Sequence, residues 1–217
     1  MRRIATPNRA LRPVATAQGR PPRHAVSVRR GYGEPHPQLV AVLHEMQPTT
    51  TEMTRWPGGL ILALAAYVGV WPTIPDEFVT SVRCLTVVDD QIVTCEVPGA
   101  VHVWPGGRRE SGETIAKTAA REVHEETGWL INEISVRQIG LLHFQHRSPV
   151  PTGHPFPHPD FCQIVVTADA TKHEGDPSTW QDSQGWEARN WLVPLDQAHD
   201  LQPTAAERAL LREVATS

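Results

Sequence analysis

Apolar positions recur at two different periods along this chain, and the change of period divides it. Leu39, Val42, Leu43 and Met46 stand at i, i+3, i+4 and i+7, which predicts a helix over 37–47 with one apolar stripe. A second apolar segment follows the Trp56-Pro57-Gly58-Gly59 break and runs from Leu60 to about Val70; its length predicts a buried helix. Beyond Pro75 the period shortens. Val79–Val88 and Gln91–Val97, joined by Asp89-Asp90, predict a hairpin. Further strands are expected near 101–104, 135–144, 161–168 and 188–193, with helices over 113–127 and 204–214. Strands interspersed with helices predict an α/β layered domain over 78–217, preceded by a helical N-terminal extension over 36–77. Between Gln145 and Asp160 lies a loop rich in Pro and His, long enough to suspect a lid.

Residues 1–35 show no such period. Pro, Gly, Ala and Arg dominate there, so too little apolar surface exists to offset the entropy of ordering, and a disordered tail is expected. The formal charge of −4 over 217 residues conceals a split, because residues 1–33 hold eight arginines and no acid. The tail is strongly basic and the body acidic. A solvated tail, an arm for nucleic acid or another anionic surface, and a transit peptide all fit that composition. No apolar run reaches the roughly 18–20 residues that cross a bilayer. Cys84, Cys95 and Cys162 are odd in number and spaced neither as a disulfide framework nor as a Cys-x-x-Cys metal pair. Together these features predict a soluble, cytoplasmic protein that makes no membrane contact.

Chemistry concentrates in residues 104–129. In the helix expected there, Ile115, Ala119 and Val123 form the buried stripe with Ala116 and Ala120, and Gly128 is the expected left-handed stop. Glu122, Glu125 and Glu126 stand at i, i+3 and i+4, so three carboxylates share one face within a turn. Like charges at that spacing cost about 0.2–0.5 kcal/mol per pair, and the negative end of the helix dipole adds to the cost. Something positive should neutralise them. A hard divalent cation such as Mg²⁺ does so with oxygen ligands and bridges to phosphates. The Pro105-Gly106-Gly107 turn just upstream lets main chain approach a ligand closely. Arg121 either pairs with a carboxylate or braces the loop, since arginine is no base near neutral pH. The alternative is a solvated acidic face with scattered ion pairs.

The spacing Gly107, Glu113, then Arg121-Glu122-Val123-x-Glu125-Glu126-x-Gly128-Trp129 resembles the Nudix box of the Nudix hydrolase family. Trp129 departs from it, standing where the family carries an aliphatic residue. The resemblance covers about residues 78–200. It implies an α/β/α sandwich with a mixed β-sheet, in which the box is a loop-helix-loop. It implies metal ligation by Glu122, Glu125, Glu126 and the Gly106 carbonyl, and a loop-bracing pair in Glu113 and Arg121. The implied activity is Mg²⁺-dependent hydrolysis, with Mn²⁺ as a substitute, of a nucleoside diphosphate linked to another group, such as a dNTP, ADP-ribose or a nucleotide sugar. The base that activates water is Glu126 or its neighbour Glu125, or a glutamate from a later loop, for which Glu187 is the candidate and Asp182 and Glu174 are rivals. Many relatives dimerise, so a homodimer is a further expectation.

Outside the box the clues are sparse. Trp104, Phe144, Trp180 and Trp186 are candidates to stack on a base, although core aromatics are commoner. His143, His146, His154 and His158 gather in or beside the Pro-rich loop, where meeting phosphate fits better than binding zinc, since no tight ligand pattern accompanies them. Two other functions compete with the small-nucleotide hydrolase. One is a nucleotide-binding sensor or regulator that keeps the fold; the other is an RNA 5′-end pyrophosphohydrolase that uses the Arg-rich tail.

Overall fold

The computed structural model describes residues 34–69, 73–98, 100–149, 153–177, 179–180, 182, 188–202 and 204–215. The predicted tail therefore lies outside the described residues except for Glu34 and Pro35, and Trp186 and Glu187 lie outside them as well. Helix α1 spans Pro37–Leu43 and buries Leu39 and Leu43, as its spacing predicts. Next come β1 (Thr50–Trp56) and β2 (Leu60–Val68), paired antiparallel.

That hairpin corrects the expectation of a second helix. In β2, Leu60, Leu62, Leu64 and Ala66 are buried while Ile61, Ala63 and Ala65 are half-buried. Partial cover on the second face turns an alternating strand into a continuous apolar run, and periodicity alone cannot tell such a run from a buried helix. The Pro57–Gly59 break is the hairpin's turn, with Gly58 at φ 79° and Gly59 at φ 81°, a backbone that glycine adopts without strain. The extension over 36–77 is thus one helix and a hairpin joined to the main sheet, since β2 pairs along Leu62–Val68 with a later strand.

The remaining elements follow the predicted order, with two short ones, Trp129–Ile131 and Leu195–Ala198, that the sequence pattern did not predict. They are β3 (Val79–Val88), β4 (Gln91–Val97), β5 (Ala100–His102), α2 (Ile115–Thr127), β6 (Trp129–Ile131), β7 (Arg137–His146), β8 (Asp160–His173), β9 (Arg189–Pro194), α3 (Leu195–Ala198) and α4 (Ala205–Ala215). The sheet runs β1-β2-β7-β8-β3-β4-β5, with β6 on β8 and β9 on β4. The predicted β3–β4 hairpin pairs only at its tip, Val87 with Ile92 and Val88 with Gln91. Beyond the tip β3 pairs in parallel with β8, and β4 pairs antiparallel with β9, which makes the sheet mixed.

Helices cover both faces. Leu39 and Leu43 of α1 and Ala119 and Val123 of α2 pack with Val82, Cys84, Leu141, Cys162 and Ile164. On the other face Ala206, Leu210 and Leu211 of α4 pack with Leu62, Leu85, Phe144, Phe161 and Val165. This is the expected α/β/α sandwich. The three cysteines are buried and free. Among the described residues no helix is long and apolar enough to cross a membrane.

Candidate functional site

The Gly-rich loop is built as an extra strand on β3. Val82 N–H donates to the Gly107 carbonyl at 3.0 Å, Cys84 N–H to the Pro105 carbonyl at 2.9 Å, and Arg109 N–H to the Thr80 carbonyl at 3.1 Å. The approach is so close that glycine is required. Gly106 has φ 148°, and a Cβ there would lie 2.2 Å from the Val82 carbonyl oxygen. A Cβ on Gly107 would lie 2.5 Å from Oε2 of Glu122. Gly106→Ala should therefore cost about 3 kcal/mol, because backbone must move, and Gly107→Ala about 1 kcal/mol, because a side-chain end can swing away. Urea unfolding of both variants checks this, and the reverse order would contradict the loop geometry.

Helix α2 begins at Thr114, whose hydroxyl accepts the Lys117 N–H at 3.2 Å, and stops at Gly128 with φ 75°. Loop and helix are locked together by two contacts. Glu126 Oε2 accepts the Gly106 N–H at 2.9 Å. Arg121 reaches the opposite way: its Nη2 donates to the Arg108 carbonyl at 2.9 Å and to Glu113 Oε2 at 3.0 Å, and its Nε donates to Glu113 Oε1 at 2.8 Å. Through Nη1 it also meets Glu122 Oε1 at 2.8 Å and Glu125 Oε2 at 3.3 Å. Glu113 gains the Glu110 N–H and the Thr118 hydroxyl besides. These bonds, Arg121 foremost, hold its carboxyl down at about 2. Glu122 behaves differently. It is 7% exposed, and burial pushes its carboxyl up against the pull of Arg121.

The structure thus brings Glu113, Arg121, Glu122, Glu125, Glu126 and Gly106 into one connected unit. It does not gather the glutamates into a cage; among the described residues no three His, Cys, Asp or Glu side chains converge on a common point. Glu122 turns to Arg121 and Glu126 to the loop amide. The donor set still suits a hard cation, because it is all oxygen and includes a buried carboxylate whose charge is only partly compensated. Sequence reasoning missed one member. Arg83 on β3 donates through Nη1 to the Gly106 carbonyl at 2.7 Å, so Gly106 is held through both its N–H and its carbonyl. A single arginine in a β-rich segment gives no signal of this, because its partner lies across a chain crossing that spacing does not encode.

Other candidates have partners of their own or are buried. Trp104 is buried, with its indole N–H donated to Gln202 Oε1 at 2.7 Å, and Phe144 stacks on Phe161 in the core, so neither offers a face to a base. Trp180 packs against His124 and His173 at the end of α2. Glu174, a rival for the base, is bonded to His124. Asp182 is buried. His143 lies on β7 and bonds the fully buried Asp160 at 2.9 Å.

His146 is buried under the Pro-rich loop, facing His154, His158 and Asp160, with Nε2 against the Pro157 carbonyl at 3.2 Å. Burial pushes it down to about 4. Below about pH 6.5 the unfolded chain takes up a proton that the folded chain refuses, so stability falls with pH from about 6.5 to about 4. Replacing it by His146→Gln should flatten that dependence by about 1–2 kcal/mol between pH 7 and 5. Urea midpoints at the two pH values measure this, and equal slopes in both proteins would contradict it.

Fold and site together define an α/β/α protein whose glycine loop and acidic helix are braced as one unit. Residues 77–214 match the NUDIX domain, and the chain belongs to the Nudix hydrolase family. It is 35% identical over 121 residues to the mouse protein "Nucleoside diphosphate-linked moiety X motif 6", covering 53% of this chain and 35% of that protein. The match therefore spans about a third of that relative's length. A Bacillus subtilis pyrophosphohydrolase structure aligns with a TM-score of 0.49 and 16% identity over 76% of this chain and 96% of that one. A NUDIX hydrolase from Nitrosomonas europaea aligns with a TM-score of 0.45 and 18% identity over 63% of this chain and 89% of that one.

Proposed function

We propose that this protein is a Mg²⁺-dependent pyrophosphohydrolase that cleaves a nucleoside diphosphate linked to another group, the substrate being a small nucleotide. The observation that carries the reading is the braced unit: three glutamates on one turn of α2, joined to the glycine loop through Glu126 and Gly106. The name of the mouse relative, which refers to a nucleoside diphosphate-linked moiety, supports the same substrate class. Glu122, Glu125, Glu126 and the Gly106 carbonyl would hold the cation. When bound, such an ion supplies neutralisation of the phosphoryl oxygens and lowers the pKa of water.

The chain's own residues set the stage for that chemistry. Arg121 fixes the direction of Glu122 and Glu125 while Glu113 fixes Arg121, so the acidic face keeps its geometry without substrate. Glu125 and Glu126 are the base candidates on α2, Glu187 is the candidate from a later loop, and Asp182 and Glu174 are its rivals.

The test is release of phosphate or pyrophosphate from a panel of dNTPs, ADP-ribose and nucleotide sugars with Mg²⁺. Turnover of at least one of them is expected. Silence across the panel with nucleotide binding retained would overturn the enzyme reading in favour of a sensor.

A further inference from the structure

We infer that the Pro- and His-rich loop and the glycine loop together build an anion subsite, in which Arg108, braced on the ring of Phe156, binds a phosphate oxygen of the substrate. The inference deepens the proposed function and rests on it. Besides Arg83, which holds the Gly106 carbonyl, three arginines lie within the box itself, and two of these are committed. Arg121 is bound to Glu113, Glu122 and Glu125, while Arg109 meets Asp76 Oδ1 at 3.1 Å and the Glu113 carbonyl at 2.9 Å. Arg108 is different. Its backbone is fixed, with its carbonyl on Arg121 and a bridge to Ser81, yet among the described residues its exposed side chain pairs with no carboxylate. The guanidinium instead lies 5.8 Å from the centroid of Phe156, across 48 positions of sequence.

Phe156 is in turn held rigid. Its ring stacks on Phe161 at 4.7 Å and 14° and meets Trp56 edge-on at 5.5 Å, so one face is used in the core and the other is left for the cation. An arginine laid on an aromatic ring keeps its N–H donors in the guanidinium plane free for an anion, with less freedom to lose on binding. His154 completes the junction. Its ring is 5.3 Å from Phe156, its Nε2 is buried with no hydrogen-bond partner among the described residues, and the Arg108 charge reaches it. A guanidinium that pairs with no carboxylate among the described residues, one position along from Gly107 in a loop read as diphosphate-binding, suits a phosphate oxygen.

The experiment is calorimetric titration of the full chain, in Mg²⁺, with inorganic pyrophosphate and with a nucleoside diphosphate whose bridging oxygen is a methylene. Arg108→Gln should weaken both about tenfold, the scale of one charge-assisted contact. Phe156→Leu should weaken both about two- to fivefold, Phe156→Tyr should bind as wild type, and Arg108→Gln/Phe156→Leu should bind no worse than Arg108→Gln alone. Unchanged affinity in Arg108→Gln, a double variant equal to the product of the singles, or weakening of the nucleotide but not of pyrophosphate would overturn the inference while leaving the hydrolase reading intact. A wild-type chain that binds neither probe and turns over no nucleotide would overturn both.

Discussion

Glu126→Gln is expected to lower turnover about a thousandfold and leave the fold intact. The two halves of that result have separate causes. The amide still offers an oxygen to the Gly106 N–H, which Glu126 accepts at 2.9 Å, so the bond between helix and loop survives. Removing one of three like charges on a single turn also relieves about 0.2–0.5 kcal/mol of repulsion, so without Mg²⁺ the variant should melt at the wild-type temperature or slightly above it. What disappears is the carboxylate that the proposed cation would use, and losing charge stabilisation at a phosphoryl centre is worth about 10²–10³ in rate or more. Rate and melting temperature, measured on one preparation, test both halves. Full turnover would remove Glu126 from the site, whereas a collapsed melting temperature would mean that its contact with the loop matters more than its charge.

This separation shows why the box was legible in the sequence and its surroundings were not. The carboxylate face of α2 and the Gly128 stop follow from spacings within one helix, where position in sequence nearly fixes position in space, while the Glu113–Arg121 pair was implied only by the resemblance. The strands after Pro75 were legible for the same local reason. The hairpin of β1 and β2 was not, because Leu60–Val68 lies under partial cover on both faces and lost the alternation that identifies a strand. Arg83 and the Arg108–Phe156 junction were invisible for a different reason. Both depend on which strands lie side by side: β3 meets the glycine loop along its edge, and the loop after β7 returns to the box. Trp104 and Phe144 show the converse error, since an aromatic beside a motif invites a binding role until burial assigns it to the core.

Replacing Arg121 should be the most damaging single change to stability in the box. Its side chain is 22% exposed and faces Glu113 at 17% and Glu122 at 9%, so Arg121→Met would strand two largely buried carboxylates. Removing one partner of a buried ion pair costs about 3–5 kcal/mol, because the partner's charge stays behind. Arg121→Lys keeps the charge but not the planar fork that serves Glu113, Glu122 and the Arg108 carbonyl together, and about half of that loss is expected. The pH dependence supplies an independent check. In the wild type, Arg121 holds Glu113 down at about 2, so the pair stabilises the fold fully above about pH 4.5 and is lost as pH falls from there towards 2. In Arg121→Met that contribution is already gone, and Glu122, which burial pushes up, is relieved by protonation. The stability gap between the two proteins should therefore be widest near neutral pH and close as the solution is acidified towards pH 3. Urea midpoints at pH 7 and pH 3.5 would measure it. A gap below about 1 kcal/mol at pH 7 would show the network to be a surface ion pair of ordinary weakness, and the acidic face of α2 would need another explanation for its fixed geometry.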